Sequence, residues 1–143
     1  MLQTAGDGIF VLGFPMGLSG AQRNYVIVRQ GAIARIGHML GRVSPTFMID
    51  AFVFPGNSGG PVVLRPEIAS IAGSKRQSTA YLIGFVTAYR PYIDTAVSQQ
   101  TGHSRITFEE NSGLADVLPT DVIDEAIQVW QDRRGGVGGP ACS

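Results

Sequence analysis

The run Pro55-Gly56-Asn57-Ser58-Gly59-Gly60-Pro61-Val62 sets a serine on a tight glycine turn. Attack on a peptide carbonyl needs an exposed hydroxyl and, beside it, backbone N–H groups aimed at the oxygen that becomes negative. Gly56 admits a backbone conformation that a side chain resists, and Gly59 and Gly60 leave the approach to Ser58 Oγ open. The segment Gly56, Asn57, Ser58 is the candidate oxyanion hole, with the N–H groups of Gly56 and Ser58 able to converge on one point. Asn, Ser and Gly are also ordinary turn residues, and an isolated Gly-Asn-Ser-Gly reads as a polar hairpin turn. The full run, followed by the strand-like Val62-Val63-Leu64, favours the nucleophile.

A serine nucleophile requires a general base, and the chain has two histidines. His38 lies in Ile36-Gly37-His38-Met39-Leu40-Gly41, and His103 in a polar segment spanning residues 94–111; each reads first as a surface-loop histidine. The carboxylates of Asp121, Asp124 and Glu125 read as compensation of a helix dipole rather than as an acid/base pair. Gly13, Gly17 and Gly20 fit neither glycine fingerprint for phosphate, and no helix pattern follows them.

The elements that must carry the turn are short β-branched and aromatic runs separated by glycines. They cover residues 9–14, 25–36, 46–54, 61–64, 81–89 and 113–118, and predict an antiparallel barrel or sandwich of six strands. Val122, Ile123, Ala126, Ile127 and Trp130 recur at helical spacing behind Thr120, predicting one helix over residues 120–131. Residues 132–143 read as a flexible glycine-rich tail. A chain of 143 residues with 44% hydrophobic and 15% charged residues has room for one folded domain. Eleven basic residues against eleven acidic leave no net charge, which recommends neither nucleic acid nor an anionic membrane as partner. No apolar run approaches the ~18 residues that span a bilayer, and the first residues lack the pattern of a secretory signal. The single cysteine, Cys142, excludes an internal disulfide and leaves the compartment open.

The serine run resembles the active-site segment of the trypsin/chymotrypsin superfamily. Asn57 before the serine, and Asp50 in Phe47-Met48-Ile49-Asp50-Ala51, are most similar to its bacterial HtrA-like branch. Residues 6–18, Gln30-Gly31-Ala32-Ile33-Ala34, Leu82-Ile83-Gly84-Phe85-Val86-Thr87-Ala88 and residues 112–119 resemble successive strands of that family's C-terminal barrel. The resemblance implies an all-β fold, a six-stranded antiparallel Greek-key barrel (the second barrel of the trypsin-like fold) with one C-terminal helix, over residues 1–131. It implies a serine endopeptidase with Ser58 as nucleophile, no cofactor and no metal. Phe52 matches the base of the pocket for the residue before the cut, and an aromatic there implies a preference for small or medium apolar side chains. Thr87, Ala88 and Tyr89 match the edge that pairs with the substrate backbone. Asn57 stands where trypsin has an aspartate that pairs with a newly cut N-terminus, a departure from trypsin-style zymogen activation.

In that family the base histidine and its orienting aspartate come from the N-terminal barrel, and neither His38 nor His103 matches the base's position. His103 has the better claim to substrate binding, because the loop after Thr87-Ala88 borders the family's specificity pocket. The chain is therefore expected to be inactive alone and to depend on a missing N-terminal barrel, in cis or in trans, to act on a polypeptide substrate. A lone second barrel is also expected to self-associate through an exposed apolar surface, with Phe14, Tyr89 and Tyr92 as contributors. A non-catalytic barrel that binds extended peptides, and an unrelated small barrel whose serine turn is coincidental, are the competing readings.

Overall fold

The computed structural model describes residues 4–18, 23–37, 43–66 and 78–135; His38 and Cys142 lie outside them. Six strands form: β1 (Gly8–Gly13), β2 (Ile27–Arg35), β3 (Phe47–Asp50), β4 (Pro61–Leu64), β5 (Tyr81–Val97) and β6 (Ser104–Pro119). A helix, α1 (Thr120–Gly135), follows directly on β6. Side chains alternate across a strand, so Ile9 and Val11, Phe47 and Ile49, Val62 and Leu64, and Ala115 and Val117 all turn to one side and are buried. Ile33, Ile36, Ala51, Val53, Ile83 and Val86 complete this interior.

All neighbouring strands are antiparallel, and the sheet closes in the order β1-β2-β3-β6-β5-β4. β4 returns beside β1, which gives the Greek-key order β4-β1-β2-β3. Closure leaves the barrel proper without an unpaired edge. The expected six-stranded antiparallel barrel with one C-terminal helix is therefore the observed one.

Two stretches depart from the sequence-based boundaries. The polar segment 94–111 is not a loop: β5 and β6 continue as a two-stranded arm, in register from Pro91↔Asn111 to Ala96↔Ile106, with a one-residue shift before Val97↔Ser104. Tyr92, Asp94 and Ala96 face Glu110, Phe108 and Ile106 across the arm, so polar and apolar residues share each face and the usual alternation signal is diluted. The arm turns at its tip through Gly102, at φ +68°, where the Ser98 N–H donates to His103 O and the Gly102 N–H to Ser98 O. The helix runs past the expected end at residue 131 to Gly135. Arg134 lies over the Trp130 ring, 4.2 Å from its centroid, a one-turn pairing that holds the last turn together. Ile127, Val129 and Trp130 remain exposed, so the apolar stripe of α1 is largely uncovered among the described residues.

Ile49 is fully buried at the centre of the barrel. We expect Ile49→Ala to lower stability by about 2–5 kcal/mol and Ile127→Ala, on the exposed face of α1, to change it by less than about 0.5 kcal/mol. Denaturant unfolding of both variants checks the contrast.

Candidate active site

The chain leaves β3 at Asp50 and enters β4 at Pro61, and the intervening residues are pinned from three sides. From β6, the Asn111 side-chain amide donates to Val53 O at 2.6 Å and Gly113 O accepts the Ala51 N–H at 2.8 Å. From the short 3₁₀ turn after β1, the Met16 N–H donates to Pro55 O at 2.6 Å. From β5, Val86 O accepts the Gly59 N–H at 2.7 Å and the Val86 N–H donates to Gly60 O at 2.9 Å.

Inside the turn the amides are divided. Asn57 N–H donates to Phe54 O at 3.0 Å and Gly60 N–H to Asn57 O at 2.9 Å. Gly56 N–H and Ser58 N–H have no acceptor among the described residues, and Ser58 is exposed. Two free donors thus flank Asn57, whose own N–H is committed, beside an exposed hydroxyl. Gly56 is at φ +96° and Gly59 at φ +80°, in the region that glycine alone enters without strain. At Gly56 a Cβ would also stand 2.5 Å from Phe14 O.

Asn57 holds this division in place. Its side chain is fully buried, and Oδ1 accepts the Phe54 N–H at 3.1 Å. Nδ2 faces Gly13, where a Cβ would come within 2.7 Å of it, and has no hydrogen-bond partner among the described residues. Arg29 from β2 stacks on the Phe54 ring, 5.0 Å from its centroid.

Thr87, Ala88 and Tyr89 follow Val86 directly, on the strand bonded to the turn. Thr87 Oγ1 donates to Asp116 O at 3.0 Å. Arg90 forms a two-point ion pair with Asp116, at 3.0 and 3.1 Å. Tyr89 OH donates to Glu109 Oε1 at 2.5 Å, and that hydrogen bond, with the negative charge of Glu109, holds the phenol above its ordinary pKa. A small cleft of 120 Å³ beside the turn is lined by Phe54, Pro55, Tyr89, Glu109, Glu110 and Asn111. Phe52 is not among its walls. Phe52 is 58% exposed, with its ring edge 3.8 Å from where a Gly113 Cβ would stand.

His103 sits at the tip of the arm, exposed. The strand from Thr87 to Val97 separates it from the turn by on the order of 30 Å at the ordinary strand rise. Glu109, Glu110 and Asn111 are site residues that sequence reasoning missed, because their place beside Phe54 depends on the β5–β6 register. No known protein family and no curated protein matches the sequence.

Two outcomes are expected from this geometry. Gly56→Val should disrupt the turn and lower stability, through strain at positive φ and the clash with Phe14 O, whereas Ser58→Ala should unfold as the parent does; thermal unfolding compares them. Because Tyr89 is raised by Glu109, its hydrogen bond stabilises the fold below the ordinary tyrosine pKa and is lost as pH rises through the shifted value. Ultraviolet titration against a Tyr89→Phe control should show Tyr89 ionising later than free tyrosine, and Glu109→Gln should move it back down.

Proposed function

We propose that this chain is the C-terminal barrel of a trypsin-like serine endopeptidase, with Ser58 as the acyl-enzyme nucleophile. The observation that carries the reading is the division of amides in the turn: Asn57, Gly59 and Gly60 are bonded, while Gly56 and Ser58 are free beside an exposed serine hydroxyl. Free, fixed donors beside a nucleophile are what a developing oxyanion requires, and removing one such donor costs roughly 3–4 kcal/mol of transition-state stabilisation in serine proteases. The closed Greek-key barrel is compatible with the second barrel of that fold, and the most similar branch by sequence pattern is the HtrA-like one.

In this reading Ser58 Oγ attacks the substrate carbonyl, and Gly56 N–H and Ser58 N–H hold the resulting oxyanion. The attack requires a base to accept the serine proton. His103 is out of reach and His38 does not match the family's position for the base, so this reading assigns the base and its orienting carboxylate to a first barrel, in cis or in trans. Thr87, Ala88 and Tyr89 pair with the substrate backbone. Phe52, exposed beside Gly113, is assigned the family's role of disfavouring a basic residue before the cut, which leaves a preference for Val, Ala or Leu. No cofactor, nucleic acid or membrane enters the reaction. The exposed Tyr92 and partly exposed Phe14 fit the self-association expected of a barrel without its mate.

A second reading, a non-catalytic barrel that binds extended peptides, is favoured by one observation: no described residue supplies a base to Ser58.

Purified chain should hydrolyse casein negligibly, since loss of the histidine lowers kcat by roughly 10⁶-fold in a serine triad. A fluorophosphonate probe should label Ser58 slowly, and faster with added imidazole as a surrogate base, with the adduct mapped by mass spectrometry. Ser58→Ala and Gly56→Val should abolish the label. No labelling of Ser58 with or without imidazole would favour the peptide-binding reading, and rapid casein hydrolysis by the chain alone would show that it holds its own base.

A further inference from the structure

The edge of β5 that faces away from β6 is used only at its beginning. β4 pairs with Tyr81 to Phe85, and Val86 bonds to the serine turn. From Thr87 to Val97 no described residue pairs with that edge, while the opposite edge is held by β6 from Ala88 to Val97. The free edge therefore starts at the residues proposed to receive the substrate and continues along the arm without changing strands. An unpaired edge of this length is a template for another extended chain.

We propose that the outer edge of β5 is an extended substrate site, in which residues N-terminal to the cleaved bond pair with the arm from Thr87 to Val97. This inference rests on the serine endopeptidase reading and names its substrate class: polypeptides that present a long extended segment before the cut. Direction follows from pairing. β5 runs from the serine turn outward, so an antiparallel partner, the more stable arrangement, runs from the arm tip toward Ser58. Its N-terminal portion lies along the arm. Over this edge the partner spans on the order of 30 Å, roughly ten residues, which folded proteins rarely expose. The occupant's chemistry follows from the side chains along the arm. Arg90 at the base of the arm is held by Asp116, and Glu109 accepts from Tyr89. Asp94, Glu109 and Glu110 therefore outnumber Arg105 as the remaining charges along it, and the arm suits a segment with basic residues among apolar ones that meet Tyr92, Ile93 and Phe108, all exposed. A second copy of the chain fits less well, because pairing two arms brings like carboxylates together. Pro91, which lacks an N–H, and the extra residue Thr87, which bulges β5 between Val86 and Ala88, interrupt the edge enough to limit uncontrolled sheet growth.

The test uses fluorescent peptides ending in valine boronic acid, which anchors at Ser58, with either about three or about twelve preceding residues of alternating Lys and Val or Thr. Polarisation should show the long peptide binding about tenfold tighter or more. Removing residues 95–107 and joining Asp94 to Phe108 through Asn-Gly should leave the short peptide unaffected and erase the gain. Alternate N-methylation of the long peptide's N-terminal half should erase it too, without altering the protein. A long peptide that binds no tighter, or a gain that survives N-methylation, overturns the arm site alone, provided the short peptide binds in a Ser58-dependent way. If neither peptide binds, or binding survives Ser58→Ala, the endopeptidase reading falls as well. A dimer that the long peptide fails to dissociate in sedimentation would assign the edge to a second copy and overturn the proposal.

Discussion

Two hydrogen bonds from Val86, one accepted from Gly59 and one donated to Gly60, fasten the serine turn to the barrel wall. They decide what the remaining amides of the turn can do. With Gly59 and Gly60 drawn to β5 and to Asn57 O, and Asn57 drawn back to Phe54 O, the N–H groups of Gly56 and Ser58 are left without an acceptor among the described residues. A serine on a loose loop would find water or its own backbone; here the barrel, through Val86 O, and the turn itself supply acceptors to the amides of Asn57, Gly59 and Gly60 but not to those two. The same strand then carries Thr87, Ala88 and Tyr89 onward, so the turn and the edge beside it share one rigid element.

The inner support for that arrangement is a buried asparagine. A polar side chain with no exposure is costly unless it is hydrogen-bonded, and Asn57 Oδ1 meets that demand through Phe54 N–H. Nδ2 lies against Gly13, which makes the glycine in β1 part of the turn's support: any larger residue there would collide with the amide. Asn111 plays a matching role from β6, donating to Val53 O while accepting the Gly113 N–H. Two asparagines on either side thus replace strand pairing where the chain leaves β3.

The barrel was legible because its interior residues, Ile9 and Val11, Phe47 and Ile49, Ala115 and Val117, recur with period two between glycines. The serine turn was legible because its glycines sit where positive φ is needed. The arm was not, since Gln99-Gln100-Thr101-Gly102 and the scattered acids around it carry loop composition, and strand pairing between residues far apart in sequence leaves no local mark. For the same reason the cleft of Tyr89 and Glu109 could not be seen from either residue alone. The burial of Asn57 was hidden as well, because a turn asparagine is ordinarily exposed and only packing against Gly13 encloses it. The last turn of α1 was missed because Arg133-Arg134-Gly135 looks like the start of a tail, while the stacking of Arg134 on Trp130 depends on the helix already being formed.

The central claim is that Gly56 and Ser58 present free amides from an otherwise fully bonded turn. Amide hydrogen exchange, read residue by residue by NMR on the purified chain, tests it most directly. We expect Gly56 and Ser58 to exchange rapidly while Asn57, Gly59, Gly60 and Val86 are protected. Protection of Gly56 and Ser58 to the level of their neighbours would mean that the donors are occupied, and would contradict the proposed oxyanion hole.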